Sequence, residues 1–222
     1  MKNPLLLAVF CIAIFLLIAF YFVSGALYKQ RHNDKYHFYQ MFPYELNYPS
    51  VFKDNTFGNV MFILASFAVA TFYILNPYTS IYKTITIIVA IVFTMLLICL
   101  LLMPLYYLKT HLVLSTVAMT LSLALPLFNL FFVYGQYKIE VEQAKRILCI
   151  ISMVFSGLLA VVMLVLIMNP RLTFKIYLDK KVDEQGNEVL KRPRVIFLAL
   201  NEWMSIFIYF LTPISLLLIS LI

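Results

Sequence analysis

Six long apolar runs divide the chain, at 4–27, 60–75, 84–108, 112–134, 147–168 and 196–222. Short polar joints separate most of them, and two longer polar stretches, 28–59 and 171–194, stand out. A run of about 20 apolar residues rising about 1.5 Å each crosses the roughly 30 Å of bilayer hydrocarbon. Helices packed on a soluble core keep one face polar, and these runs do not. The pattern predicts an all-α membrane protein: one integral domain over 1–222, a bundle of six transmembrane helices in the lipid bilayer. The first run exceeds a signal-peptide core of about 7–15 residues and reads as a retained span.

The two long polar stretches have patterns of their own. The 28–59 loop carries Tyr36, Phe38, Tyr39, Phe42 and Tyr44 within nine residues, too aromatic for a solvated linker. It is expected to lie along the membrane surface or to pack on the bundle. In 171–194, Leu172, Phe174, Ile176 and Leu178 alternate with Thr173, Lys175 and Tyr177, a strand period. Gln185-Gly186-Asn187 supplies a turn, and 188–190 could pair back. A cytoplasmic β-hairpin is therefore expected, with Lys180, Lys181, Gly186, Arg192 and Arg194 as candidate residues for docking a protein partner.

The order of helix-end signals repeats. The first and fourth runs end in Phe22-Val23 and Phe132-Val133 ahead of Gly25 and Gly135; the second and fifth stop at Asn76-Pro77 and Asn169-Pro170; the third and sixth carry Pro104 and Pro213. Three-span halves would be inverted in the membrane, a construction common among secondary transporters. Apolar helices drawing on a small alphabet give the same pattern by coincidence, so both readings stand.

Composition supports a membrane protein. Of 222 residues 64% are hydrophobic and 12% charged, against about 25% charged in soluble domains. The formal net charge of +7 does not imply a nucleic-acid partner, because Lys and Arg sit between the spans. Five lie on the side of the termini (Lys2, Lys83, Lys138, Lys145, Arg146) and the other twelve of the seventeen on the opposite side. The basic side is the expected cytoplasmic one, leaving both termini non-cytoplasmic.

Candidate chemistry is sparse. Glu202 is the one acid within a long apolar run, and an ionisable group at membrane depth is a functional candidate. Two placements are open. If the bilayer begins near Val195, Glu202 lies roughly 10 Å inside it and must face helices or water. If Trp203 belongs to the interfacial belt, the 19 residues of 204–222 still span, and Glu202 meets Arg192 or Arg194 among headgroups. Asn201, Asn129, Pro126 and Pro213 complete a candidate intramembrane polar site, since a membrane proline frees a backbone carbonyl. Ser66 with Ala70, Ala118 with Ser122, and Ser156 with Ala160 are small pairs suited to close helix contact. Cys11, Cys99 and Cys149 read as buried small hydrophobes. His32 and His37, five apart, do not share a helical face, and no metal site is expected.

There is no His-Glu-x-x-His zinc motif, no Gly-x-Ser-x-Gly elbow and no Gly-x-x-x-x-Gly-Lys phosphate loop. With five glycines, a Gly-rich cofactor cradle is excluded, and no cofactor is expected. Three functions fit: a small transporter or transporter subunit, a structural or assembly subunit of a membrane complex, and, with its chemistry missing, a lipid-modifying enzyme. The charge asymmetry is tested with the native cysteines replaced. A cysteine at Gln185 should be shielded from an impermeant thiol reagent in intact cells, and one at Gln136 should react; labelling at Gln185 from outside reverses the orientation.

Overall fold

In hydrocarbon, every backbone N–H and C=O must be paired within the protein, so an apolar run of this length folds as a helix. The computed structural model of the chain has α1 (Pro4–His32), a 3₁₀ turn (Pro43–Asn47), α2 (Thr56–Leu75), α3 (Ile81–Leu102), α4 (Leu108–Ile139), α5 (Gln143–Ile167), α6 (Phe197–Leu211) and α7 (Pro213–Ser220). It describes residues 4–33, 35–47, 55–77, 81–102, 108–172, 179–182, 188–191, 193 and 195–220. The helices α6 and α7 are one span, Phe197–Ser220, broken at Thr212 ahead of Pro213. Six helices are thus long and apolar enough to cross a membrane, and the chain is an all-helical, multi-pass membrane protein.

The sixth span is the axis. Helix α6 packs on α3, α4, α5 and the 3₁₀ turn, while α7 packs on α1, α2, α4 and α5. In its most apolar stretch 67% of residues are buried, against 22% in α1 and in α5. The bundle has an apolar surface, and its buried polar side chains are set within a largely apolar interior. Phe15 and Phe22 are 70% and 69% exposed, whereas Ser66, Thr94, Ser122 and Asn129 are buried. That is the arrangement lipid favours: side chains toward it need only be apolar, and polar ones pair across helices. All six residues of the small pairs are buried.

Three expectations change. Among the described residues, the connector between α5 and α6 holds a four-residue ladder, β1 (Asp179–Val182) against β2 (Glu188–Lys191), with Lys180 opposite Leu190 and Lys181 opposite Val189. This does not amount to the expected cytoplasmic β-hairpin. The alternating residues 173–178, the turn with Gly186, and both Arg192 and Arg194 lie outside the described residues. So short a lone pair of strands is marginal by itself, and helices alone make the fold. Second, Cys11 and Cys99 are exposed on the bundle surface and only Cys149 is buried; a small thiol is tolerated against lipid as it is in a core. Third, α4 runs through Gln136, which is buried, so the outward reporter of orientation belongs at Val141, which is 91% exposed.

Helices α1 and α2 approach closely where Asn55 Nδ2 donates to Ser24 Oγ at 2.8 Å. A Cβ on Gly58 would overlap Ser24 Oγ and the Asn55 side chain, whereas one on Gly25 would meet nothing within 4 Å. Gly58→Ala should therefore cost about 1–3 kcal/mol by overpacking, read as a lowered thermal-unfolding midpoint in detergent. Gly25→Ala should leave the midpoint unchanged; equal effects would discard the close approach.

Candidate functional site

The start of α4 brings the central pair together. Lys109-Thr110-His111, which the sequence suggests is a tight turn, forms its first turn, so the helix begins at Leu108 rather than 112. His111 and Ser115, one turn apart, then share a face. Glu202 lies in the second turn of α6. Its Oε1 accepts a 2.5 Å hydrogen bond from Ser115 Oγ and lies 3.0 Å from His111 Nε2. His111, Ser115 and Glu202 are all fully buried. Between Nε2 and Oε1 one hydrogen is shared, as an imidazole N–H donating to carboxylate or a carboxyl O–H donating to imidazole. His111 Nδ1 and Glu202 Oε2 have no hydrogen-bond partner among the described residues.

The first connection roofs this pair. Phe42 and Tyr44 set their rings edge-on to the His111 imidazole, with centroids 6.0 and 5.2 Å away. Their segment is fastened to α6 by Trp203 Nε1, which donates to Tyr36 Oη at 2.9 Å and to the Met41 carbonyl at 3.1 Å. Ile196 N–H donates to the Tyr39 carbonyl at 2.9 Å, and Arg31 donates to the Leu46 carbonyl at 2.8 Å. Glu45 Oε2 accepts from Phe42 N–H at 3.0 Å and holds the turn. Burial pushes the Tyr36 phenol well above its ordinary pKa, against a smaller lowering by the Trp203 hydrogen bond. The aromatic segment thus packs on the bundle.

Below the pair a polar seam continues between α4 and the sixth span. Ser205 Oγ donates to Ser122 Oγ at 3.3 Å. Asn129 Nδ2 donates to the Thr212 carbonyl at 3.1 Å and to Ser215 Oγ. Tyr209 Oη pairs with Thr94 of α3 and donates to the Ser66 carbonyl of α2 at 2.9 Å.

The expected site residues therefore divide. Glu202 joins His111 and Ser115, while Asn129 joins Thr212 and Ser215 beside the break at Pro213. Asn201 donates to its own helix at Phe197 O, 2.8 Å, and bridges neither group. Pro126 is buried within an unbroken α4. Glu202 has no exposed surface, and Arg192 and Arg194, its partners in the second placement, lie outside the described residues. The backbones of Lys180 and Lys181 are in β1, with side chains outside the description. His111 and Ser115 were missed; the signal was an intramembrane acid needing a partner and a His-x-x-x-Ser spacing at the head of an apolar run.

Serine, histidine and acid here do not form a nucleophilic triad. That mechanism needs serine bonded to histidine and histidine to the acid, but Ser115 and His111 both meet the same carboxylate oxygen. Serine activation by the imidazole is absent, which weighs against the lipid-modifying enzyme.

Removing one member of a buried pair strands the other. His111→Leu should destabilise the protein by about 3–5 kcal/mol, and adding Glu202→Leu should recover most of the loss. Additive losses in thermal unfolding would show that the two side chains do not act as a pair.

No family model, no curated protein and no solved structure matches this chain.

Proposed function

We propose that the chain is a small transporter, or the membrane subunit of one, with the Glu202–His111 pair as its charge-handling centre. One observation carries this reading: an acid of the axial span and an imidazole of α4, both wholly buried and in contact, each with a polar atom that has no hydrogen-bond partner among the described residues. Ionisable side chains inside membrane bundles mark ion and proton pathways by default, because their cost is otherwise unrewarded. The proline of the sixth span adds nothing to this reading, because Thr212 keeps a helical backbone ahead of Pro213 and its carbonyl is taken by Asn129 and Ser215. The repeated order of helix-end signals lends weaker support through two inverted three-span halves.

A structural or assembly subunit is the second reading, and the lower seam favours it. Ser122, Ser205, Asn129, Thr212 and Ser215 meet one another or nearby carbonyls, as groups that only hold helices together would. On that reading the 171–194 connector, with Lys180 and Lys181, faces the cytoplasm and docks a partner.

Glu202→Gln separates the two. It preserves shape and the capacity to accept both hydrogen bonds but removes the charge. The transport reading expects the variant to accumulate normally and to fail complementation of a strain that depends on this protein. Full complementation would remove the residue-level reason for transport and favour the subunit.

A further inference from the structure

We infer that the particle taken up and released at the buried pair is a proton and not a metal cation, with His111 Nδ1 and Glu202 Oε2 as its two open positions. This rests on the reading of the pair as a charge-handling centre and deepens it. The argument is one of valence. Glu202 Oε1 is already engaged twice, accepting from Ser115 Oγ at 2.5 Å and sharing one hydrogen with His111 Nε2 at 3.0 Å. A hard metal cation requires about 6–8 oxygen ligands. Here it would meet one free carboxylate oxygen, a hydroxyl whose hydrogen points at the carboxylate, an imidazole, and the rings of Phe42 and Tyr44. A proton needs a single lone pair, and the pair offers two.

The unloaded pair is a carboxylate and a neutral imidazole sharing the Nε2–H, with net charge −1. A proton delivered by hydronium forms an N–H bond at Nδ1 or an O–H bond at Oε2, releasing water, and either product has zero net charge. In a site with no exposed surface the uncharged product avoids most of the burial cost of an isolated ion. Loading therefore changes the net charge under the roof without moving a helix.

Other titratable groups around the pair are few. Tyr36, His37, Tyr44 and Glu45 come from the first connection, Tyr21 and Arg31 from α1, Lys109 from the first turn of α4 and Cys99 from the last turns of α3, the last two with exposed side chains. Tyr36, with its phenol pushed up by burial, does not lose its proton near neutrality. Glu45 is bound to Phe42 N–H and serves as the control.

The chain contains its own reporter. Trp203 is the single tryptophan, lies next to Glu202 and is bonded to the roof. The intact chain in lipid nanodiscs is titrated in sodium, potassium and choline chloride at equal ionic strength, following Trp203 emission. The infrared difference spectrum between acid and alkaline forms is recorded alongside, and decides if emission is flat. The expected result is a one-proton transition with the same midpoint in all three salts, accompanied by a protonated-carboxyl band for loading at Oε2 or an imidazolium band for loading at Nδ1. Glu202→Gln should remove transition and band, His111→Gln should displace the midpoint, and Glu45→Gln should keep it. A midpoint that follows sodium or potassium, a transition and band surviving Glu202→Gln, or neither signal in the parent chain overturns the inference. Proton uptake with a silent Glu202→Gln in complementation would instead leave this inference standing and remove the transport reading. A cation-dependent midpoint with failed complementation would do the reverse.

Discussion

The structure depends on placing one carboxyl group where no water reaches it. Burying an unpaired carboxylate costs several kcal/mol even after relaxation, so the surroundings of Glu202 have to be supplied by other parts of the chain. The early start of α4 supplies His111 and Ser115 on one face. Trp203 and Arg31 draw the 36–46 segment over the end of the bundle, closing it with Phe42 and Tyr44. Moving the start of α4 by even one residue would rotate both donors by about 100° and leave Glu202 bare. The central position of the sixth span follows, because an acid can be surrounded this way only on a helix with neighbours on every side.

The seam along the same span has a different energetic character. Hydrogen bonds between membrane helices contribute only about 0.6 kcal/mol on average. Contacts such as Ser122–Ser205 and Asn129–Thr212 therefore add a few kcal/mol at most, less than the packing of the surrounding Phe, Leu and Ala side chains. Their value is in register: Ser115, Ser122 and Asn129 recur every seven residues, as do Glu202 and Tyr209, or Ser205 and Thr212. Shifting either helix by one residue would unpair several buried polar groups at once.

The helical class and the number of spans were legible because run length against bilayer thickness is a strong signal that tertiary packing does not override. The pair was only half legible. Glu202 stands out in an apolar run, but His111 sits beside Lys109 and Thr110, and three polar residues between two apolar runs read as a turn. What decides otherwise is long-range: His111 stays helical while facing a carboxylate ninety-one positions away. The alternation at 172–178 is a weaker signal, since period two in a seven-residue segment fixes neither a partner nor a register, and 173–178 lie outside the described residues. Cys11 and Cys99 were misplaced for a related reason: in lipid, apolarity does not distinguish inside from outside.

The two oxygens of the Glu202 carboxyl group are used unevenly. A purely structural buried carboxylate is best served by donors on both oxygens, because each unpaired one keeps its desolvation penalty. Here both hydrogen bonds converge on Oε1 while Oε2 and His111 Nδ1 lack partners among the described residues. The chain has serines to spare: Ser122 and Ser205, further along the same interface, are bonded to each other. Leaving two lone-pair positions open beneath an aromatic roof opposes stability. Of the buried polar atoms without a partner among the described residues, these are the two that belong to ionisable side chains in contact with each other, and the proposed proton site rests on that.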